Sequence, residues 1–366
     1  MDRKVRIIAH YLPQFHPTPE NDLYWGKGFT EWTNVGKAKP LFHGHYQPRV
    51  PADLGYYDLR CSWVREAQAD MAREVGIEGF MYWHYWFGNG KMTLQRPFEE
   101  VLASGKPDFP FCLGWANHDW TNHSWNAATA HQKLGYIFKQ EYLGEEDYIA
   151  HFKYVLPAFK DKRYITVDGK PLFMIYSPLH FPDCEKFVKI WRKLAIENGL
   201  KGIFFIARAY GWVEANQKIM NLGFDAVNSN GQFEAECAVK GKLYNLILTN
   251  IVNRIGYGLQ KYDYEKVMKH FFTPEDKNEY VIPTIIPNWD RSPRSGSRGV
   301  IYHNSTPEKF KKHVKEALSL IQEKPIEHRL LILKSWNEWA EGNYMEPDIR
   351  FGHGYLDALK SAIDEM

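Results

Sequence analysis

The sequence predicts an α/β protein built as a single (β/α)8 TIM barrel with long, aromatic-rich βα loops. Eight short apolar runs alternate with amphipathic segments along the 366 residues, as expected for repeated βα units. The runs are almost continuously apolar, which is typical of parallel strands covered by helices on both faces. No glycine-rich phosphate loop follows the first run, which disfavours the alternative, an open doubly wound sheet. We therefore expect one catalytic domain over residues 1–366.

The predicted strands are the eight apolar runs, in chain order Val5–Leu12, Gly79–Tyr85, Phe111–Trp115, Pro171–Tyr176, Gly202–Ala207, Ala226–Ser229, Val281–Ile286 and Leu330–Lys334. The predicted helices are the amphipathic segments, at Ser62–Val75, Thr93–Ala103, Glu145–Phe159, Asp183–Glu197, Val213–Met220, Asp263–Phe271, Thr306–Gln322 and Tyr355–Asp364. Start signals at Ser62, Asp183 and Thr306 support three of these helices. Gly76 and Gly199 each follow a helix, as a C-terminal glycine cap does.

Two connections are unusually long for a compact domain, and such loops are usually functional or disordered. Pro13–Arg60 follows the first strand and is rich in Trp, Phe, Tyr, Gly and Pro, so we expect an ordered loop over a pocket. Asn230–Tyr262 follows the sixth strand, and we expect an extra helix around Lys242–Asn253.

Charge and composition exclude several classes of function. The net charge is only +2, so no overall field favours nucleic acid or an anionic membrane. No apolar stretch approaches the roughly 20 residues that a membrane span needs. The N-terminus carries no secretory signal, which predicts a cytoplasmic location, or a periplasmic one if a leader was removed.

Cysteine and histidine spacing predicts neither a metal nor a cofactor. The four cysteines are far apart and form no CxxC pair, so we expect small apolar core residues. His43 with His45, and His118 with His123, lack a third ligand at convincing spacing.

Residues just past the predicted strands indicate a carbohydrate substrate. The active site of a barrel forms at the C-terminal ends of its strands. Aromatic rings stack on the apolar face of a pyranose, while amide, carboxylate and guanidinium groups bind its hydroxyls. The 13 Trp residues and 16% aromatic content favour this interpretation, although core packing is the competing one for each aromatic residue. The predicted substrate-binding residues are Tyr11, Gln14, Glu31, Trp32, Tyr82, His84, Tyr85, Trp86, Trp115, Asn117, His118, Asp119, Trp120, Arg208, Asn230, Asn288, Trp289, Trp336, Asn337 and Trp339.

The segment after the last strand contains the predicted catalytic residues. Glu338 and Glu341 lie three residues apart and alternate with two tryptophans. Glycosidic cleavage commonly uses two carboxyl groups, one protonated and one ionised. Crowded carboxylates beside desolvating indoles acquire different pKa values, which supplies that asymmetry. Helix capping is the competing interpretation, and Asp119 and Asp290 are alternative acids if the pair is too close.

The same motifs carry a family resemblance over nearly the whole chain. The sequence resembles the WbsX-like proteins, which are similar to the glycoside hydrolase family 99 endo-α-mannosidases. The fit to the mannosidases proper is mostly the Asn-Glu-Trp-x-Glu-Gly core. The matching segments are Tyr11–Pro17, Trp25–Asn34, His45–Pro48, Tyr82–Phe87, Trp115–Asn117, Asp168–Pro171, Asn288–Asp290 and Trp336–Gly342.

This resemblance implies a (β/α)8 barrel and retaining hydrolysis without a protein nucleophile. It implies that Glu338 draws a proton from the sugar 2-hydroxyl, whose oxygen then closes on the anomeric carbon to give a 1,2-anhydro sugar. Glu341 protonates the leaving oxygen, and water opens the epoxide with the two roles reversed. The chain departs from its relatives at His118-Asp119, where they usually read Glu-Asn, so the substrate does not carry over.

Two other functions remain as alternatives. WbsX-like proteins are often labelled glycosyltransferases because they occur with genes for surface polysaccharides such as O-antigen. A transferase usually needs a nucleotide-binding α/β domain and often an Asp-x-Asp motif, and this sequence contains no Asp-x-Asp. The third hypothesis is a carbohydrate-binding barrel without catalytic activity.

Overall fold

The computed structural model describes residues 4–121, 135–209, 213–255 and 259–366. Eight parallel strands form a ring whose spatial order follows the chain. The predicted barrel is therefore confirmed. The strands are β1 (Arg6–Tyr11), β2 (Ile77–His84), β3 (Phe111–Trp115), β4 (Lys170–Ile175), β5 (Phe204–Arg208), β6 (Ala226–Asn228), β7 (Val281–Ile282 and Thr284–Ile285) and β8 (Leu330–Leu333).

Strand β7 is divided at Pro283, where one continuous strand was predicted. Its first half pairs with β6 and its second half with β8. Proline has no N–H to donate to a strand ladder, so it interrupts the pairing. The carbonyl of Pro283 still accepts a hydrogen bond from the N–H of Ile332 at 3.0 Å, which joins the two halves to β8.

The helices that follow the barrel strands lie close to their predicted bounds. One exception is Asp263–Phe271, which is helical only over Tyr264–Met268. The helices, in chain order, are Pro19–Trp25, Glu31–Lys37, Ser62–Glu74, Arg96–Ser104, Glu145–Phe159, Cys184–Glu197, Val213–Asn221, Gln232–Lys240, Lys242–Ile255, Tyr264–Met268, Ser292–Ser295, Pro307–Ile321 and Gly354–Asp364.

The predicted helix signals were right in part. The Thr306 hydroxyl caps its helix by accepting from the Lys309 N–H, but Ser62 lies inside its helix, after the N-cap Cys61. Asp183 occupies an N-cap position without a side-chain cap. Gly76 has a φ of +83°, in the left-handed region where glycine ends a helix at little cost.

Both long connections are ordered where they are described. The first contains the helices Pro19–Trp25 and Glu31–Lys37, which sequence periodicity missed because each has only seven residues. The second contains Gln232–Lys240 and the expected extra helix, Lys242–Ile255.

The barrel strands form the centre of the hydrophobic core. Cys112 and Cys184 are buried in it as predicted, whereas Cys61 is exposed. Within the described ranges, no helix is long and apolar enough to cross a membrane.

Candidate active site

A cavity of about 500 Å³ opens at the C-terminal ends of the barrel strands. It brings together nine of the predicted site residues, namely Tyr85, His118, Asp119, Trp120, Arg208, Asn230, Trp289, Glu338 and Glu341. The other lining residues are absent from the predicted set, namely His10, Leu12, Trp83, Ala116, Met174, Tyr176, Asn228, Gln232, Arg291, Arg294 and Lys334.

A tight turn directs both glutamates into this cavity. Asn337–Glu338 pairs antiparallel with Asn343–Tyr344, and a short 3-10 turn, Trp339–Glu341, connects them. The turn closes at Gly342, whose φ of +59° favours glycine. Both carboxyl groups lie close to Arg294, whose Nη1 is 2.7 Å from Glu341 Oε1 and whose Nη2 is 3.9 Å from Glu338 Oε1.

The two carboxyl groups have opposite pKa shifts. Burial, followed by the charge of Glu341, raises the pKa of Glu338 to about 8. Burial also acts on Glu341, but the cations Arg294, Arg291 and Lys334 together lower its pKa below the usual value. Near neutral pH the pair therefore holds one proton, which lies on Glu338.

Arg294 connects the Glu338–Glu341 pair to a third carboxyl group, that of the buried Glu31. Its Nη1 lies 2.7 Å from Glu341 Oε1 and its Nη2 lies 2.6 Å from Glu31 Oε1. Glu31 is fully buried behind Arg294 and does not line the cavity. The exposed side of the pair is reached by Arg291, whose Nε is 3.2 Å from Glu341 Oε1. Glu31 thus compensates a buried cation that would otherwise be costly.

Lys334 directly follows strand β8 and lines the cavity. Burial and the charge of Arg208 lower its pKa to about 8. Its Nζ lies 5.2 Å from the centre of the Trp289 ring. No carboxylate oxygen among the described residues lies within ion-pair distance of this ammonium group.

His10 faces the cavity as a neutral hydrogen-bond acceptor. Its Nδ1 lies 3.1 Å from the Lys334 carbonyl oxygen, which can only accept, so Nδ1 carries the proton. Burial is the main cause that lowers the pKa of His10 to about 3, and the ring is therefore neutral. Nε2 is then an acceptor with no hydrogen-bond partner among the described residues.

Aromatic rings and amides form the rest of the lining. Tyr85 and Trp120 meet edge to face, with centroids 5.0 Å apart. The Arg208 guanidinium lies 4.7 Å above the ring of Tyr176. Asn228, Asn230 and Gln232 add amide groups from the end of β6 and the helix that follows.

Predicted aromatic residues on the outer faces of β2 and β3 do not line the cavity. Successive side chains of a strand point to opposite faces, so Trp83 points inward while Tyr82 and His84 point toward the helices. His84 Nε2 lies 2.7 Å from His151 Nε2, on the helix Glu145–Phe159. Trp86 stacks on the ring of His151 at 4.6 Å. Trp115 donates its indole N–H to the Trp86 carbonyl, as part of the same buried cluster.

The tryptophans that flank the glutamates brace the turn from behind. Trp336 Nε1 donates to Glu346 Oε1 at 3.0 Å, and Trp339 Nε1 donates to Glu346 Oε2 at 2.6 Å. Tyr57 and Gln68 also donate to this carboxylate. Burial raises the pKa of Glu346 to about 7. Glu346, five residues after Glu341, was missed because no motif distinguishes it from an ordinary surface acid.

The remaining residues that were predicted to bind substrate either form hydrogen bonds with main-chain groups or lie in buried positions away from the cavity. Asn337 bonds both backbone groups of Leu12, and Asn117 bonds the backbone of Ser177. Four further predicted residues do not line the cavity and are buried or partly buried elsewhere, namely Tyr11, Gln14, Trp32 and Asn288. Substrate contact by these side chains is therefore not favoured by their position.

Asp290 and Asp119, the two alternative catalytic acids, differ in whether they reach the cavity. Asp290 is fully buried outside the cavity, where it accepts hydrogen bonds from His45 at 2.8 Å and Gln47 at 2.7 Å. Although burial opposes ionisation, these bonds and nearby Arg49 hold the pKa of Asp290 at about 2, so it is a poor proton donor. Asp119 lines the cavity and accepts from the Gln140 N–H. His45 is thus bound to Asp290, and His123 lies outside the described residues.

Comparison with known proteins identifies similar sequences. A family model described as "Glycosyltransferase WbsX" matches residues 7–359. WxcX proteins from two strains of Xanthomonas campestris pv. campestris are each 33% identical over 361 residues, which cover 98% of this chain and 49% of the relative. The chain therefore spans about half the length of these curated relatives.

Solved structures show the same fold at low identity. A "Glycoside hydrolase-like protein" superposes with a TM-score of 0.61 at 15% identity, covering 98% of this chain and 94% of the other. The GH99 endo-α-mannosidase from Bacteroides thetaiotaomicron gives a TM-score of 0.58 at 14% identity, covering 98% and 97%.

Proposed function

The chain belongs to the family whose model is described as "Glycosyltransferase WbsX". From the arrangement of its two cavity glutamates, we propose that it is a retaining glycoside hydrolase. Its substrate is an α-linked glycan or a bacterial surface polysaccharide. Its catalytic residues are Glu338 and Glu341, which act through participation of the sugar 2-hydroxyl.

The observation that carries this proposal is that Glu338 and Glu341 both line the cavity and lie 3.9 and 2.7 Å from the same Arg294 guanidinium. An inverting hydrolase separates its carboxyl groups by about 6.5–9.5 Å so that a water fits between them. Participation of the 2-hydroxyl needs groups at O2 and at the glycosidic oxygen, which are attached to adjacent carbons. Two neighbouring carboxyl groups suit that reaction.

The proposed reaction balances with the single proton that the pair holds. Glu338 accepts the O2 proton while O2 attacks the anomeric carbon, and the bond to the leaving oxygen breaks as Glu341 protonates it. In the second half, Glu341 takes a proton from water, whose oxygen attacks the anomeric carbon, and Glu338 returns its proton to O2. Two inversions give net retention.

The substrate must first move the shared proton. In the free protein the proton lies on Glu338, whereas this route needs it on Glu341. A 2-hydroxyl that donates to Glu338 favours the ionised form of that group. Arg294 and Arg291 stabilise Glu341 once it has given its proton to the leaving oxygen.

Glu338→Gln and Glu341→Gln test the pair on a substrate found by a polysaccharide digestion screen. We expect each variant to lose about 10²–10⁴-fold in kcat, while circular dichroism shows that the fold is retained. Proton NMR of the first product should show retention, and a 2-deoxy substrate should resist cleavage. Full activity in both variants, or inversion, would refute the proposal.

Activated leaving groups separate the two roles. An acid variant regains activity on an aryl glycoside whose leaving group needs no proton, whereas a base variant does not. We expect recovery in Glu341→Gln alone. Recovery in Glu338→Gln alone would exchange the roles and agree with the proton position in the free protein.

A glycosyltransferase is the second candidate. It is favoured by the cations Arg208, Arg291 and Lys334 in the cavity lining, since such groups bind diphosphates well. A transferase should gain thermal stability with a nucleotide sugar by mass action. A hydrolase should not respond to it.

A further inference from the structure

Lys334 is a cation of the cavity lining that has no carboxylate partner at ion-pair distance among the described residues. Its charge acts on Glu338 and Glu341 only from beyond that distance. Burial and the charge of Arg208 lower its pKa to about 8, so the ammonium form still prevails at neutral pH. A partly buried charge without a partner is costly. Its retention in a cavity indicates a ligand of opposite charge.

Arg208 adds a second positive charge to the same cavity. It ends strand β5, and its guanidinium lies 4.7 Å above the ring of Tyr176. Of all the charges that act on Lys334, that of Arg208 has the largest effect, and it is repulsive. Glu234, on the helix Gln232–Lys240, lies outside the lining but close enough for the Arg208 charge to favour its ionised form. Arg208 therefore strengthens an anion site whose main group is Lys334.

The other two cations of the lining are already engaged by carboxylates. Arg294 Nη1 and Arg291 Nε lie 2.7 and 3.2 Å from Glu341 Oε1. Arg294 also contacts Glu31 through Nη2, at 2.6 Å. An anion that enters the cavity is therefore directed toward Lys334 rather than toward the arginines that hold Glu341.

His10 places a hydrogen-bond acceptor beside this cation. Its Nδ1 donates to the Lys334 carbonyl at 3.1 Å, and the ring is only 5% exposed. Its Nε2 lines the same cavity as an acceptor without a partner among the described residues. A hydroxyl group can donate to it, whereas a carboxylate or phosphate oxygen cannot. The ring of Trp83, 4.5 Å from that of His10, supplies an apolar face at the same place.

We propose that the substrate is an acidic glycan, and that Lys334, supported by Arg208, binds an anionic substituent of the sugar in the cavity. A hydroxyl of the same sugar donates to His10. The carboxylate of a uronic acid supplies this chemistry, and so does a sulfate or phosphate ester. The inference rests on the proposed function, because it names a substrate class for the same site.

Binding of free sugars tests the anion site without any need for hydrolysis. The probes are D-glucuronate, D-galacturonate and D-mannuronate, each compared with its neutral hexose in a ligand-observed NMR titration of the full chain. We expect at least one of these acids to bind at least tenfold more tightly than its neutral counterpart, from one charge-assisted hydrogen bond. Equal or weaker binding of all three acids would overturn the inference.

Variants assign the preference to the cavity cations. Lys334→Gln should reduce the ratio of acid to neutral affinity about tenfold, and Arg208→Gln about threefold, while Lys334→Arg should keep most of it. Lys193→Gln is the matched control, because it removes one positive charge from a side chain that is 78% exposed on the helix Cys184–Glu197, outside the cavity lining. An equal reduction in this control would mean that the acids respond only to the overall charge, and would overturn the assignment. Circular dichroism checks the folding of each variant.

A matched pair of polysaccharides separates this inference from the hydrolase activity. Carbodiimide activation and borohydride reduction convert the uronic acids of a polysaccharide into neutral hexoses with the same linkages. We expect kcat/KM to be at least tenfold higher on the acidic form. Cleavage of neutral glycans alone would overturn the acidic substrate but leave the hydrolase intact. Binding of a uronate without cleavage of any polysaccharide would support the anion site and contradict the hydrolase.

A nucleoside diphosphate is the competing anion. Calorimetric titration with UDP distinguishes it, and we expect no binding that depends on Lys334. UDP binding that Lys334→Gln abolishes, together with no binding of the three uronates, would assign the cation to a diphosphate and overturn the acidic glycan.

Discussion

At the scale of single residues, two identical glutamates differ because their neighbours differ. Glu338 is surrounded mainly by buried surface and the charge of Glu341, which raise its pKa to about 8. Glu341 contacts Arg294 and Arg291, whose charges favour its ionised form. The pair therefore holds one proton over a wide pH range, and catalysis that needs one acid and one base needs this state.

Activity should decline as pH rises through about 8, because the pair then loses its one proton. The positive charge of Lys334 lowers the pKa of both glutamates. Lys334→Gln removes that charge, so both pKa values rise and the alkaline limb of the kcat/KM profile moves to higher pH. Lys334→Arg keeps the charge and should keep the limb near its original position. An unchanged profile in Lys334→Gln would contradict this account.

His10 should contribute to substrate binding through one nitrogen. His10→Asn retains a donor for the Lys334 carbonyl but has no group at the position of Nε2, so we expect KM to rise about tenfold from one lost hydrogen bond to substrate. His10→Gln extends to the position of Nε2 and should bind substrate better than His10→Asn. Steady-state kinetics give KM and kcat separately. Equal KM values in both variants and the wild type would exclude this contact.

At the scale of elements, strand periodicity made the barrel predictable and the cavity only partly so. Strands buried on both faces are apolar on both sides, so their sequence does not reveal which side chains point inward. For this reason Tyr82 and His84 were predicted to bind substrate, although Trp83 between them lines the cavity. Arg291 and Arg294 follow β7 at the expected edge, but single basic residues in a loop match no motif. The break at Pro283 was readable, because proline seldom continues an inner strand.

The turn that contains Glu338 and Glu341 has room only for glycine at position 342. A Cβ at Gly342 would lie 2.7 Å from Asp290 Cβ and 3.1 Å from Arg49 Cζ. Gly342→Ala should therefore cost about 1–2 kcal/mol for its left-handed backbone and about 1–3 kcal/mol more for crowding, with a large loss of activity.

Gly352→Ala is the matched control for that substitution. Gly352 also has a positive φ, of +53°, but no atom lies within 4 Å of the added Cβ. Gly352→Ala should therefore lose only the part of the unfolding free energy that comes from the left-handed backbone, and it should keep its activity. Denaturant unfolding and activity measurements check both variants, and similar losses in the two would show that crowding at Asp290 is unimportant.

At the scale of the whole molecule, averages conceal local features. The composition of the whole chain gives no sign that Leu243, Ile247 and Ile251 form an exposed apolar patch on one helix. Sequence composition cannot locate such a patch, because it depends on which side of a helix faces the barrel. The orientation of Asn245 toward Tyr262 is a tertiary fact.

Stability should have its maximum between about pH 4.5 and 6.5, because buried groups of two kinds titrate on either side of that range. Burial lowers the pKa of His10, His84 and His313 to about 3, so below 6.5 the unfolded chain binds more protons at these sites and acid destabilises the fold. Burial is the main cause that raises the pKa of Glu338 to about 8 and of Glu346 to about 7. The folded chain then binds more protons at these two sites above 4.5, so stability falls as pH rises toward 8. Between 4.5 and 6.5 the two effects oppose each other.

Calorimetry from pH 4 to 9 measures this profile, and we expect a melting temperature several degrees lower at pH 8 than at pH 6. Glu346→Gln provides the decisive comparison, because it removes one of the raised carboxyl groups while four donors still surround the site. The variant should be less stable overall, but its melting temperature should fall less steeply between pH 6.5 and 8. A melting temperature that still rises over that interval in the wild type would mean that the buried glutamates are ionised in the folded protein. The single shared proton of the catalytic pair would then be excluded as well.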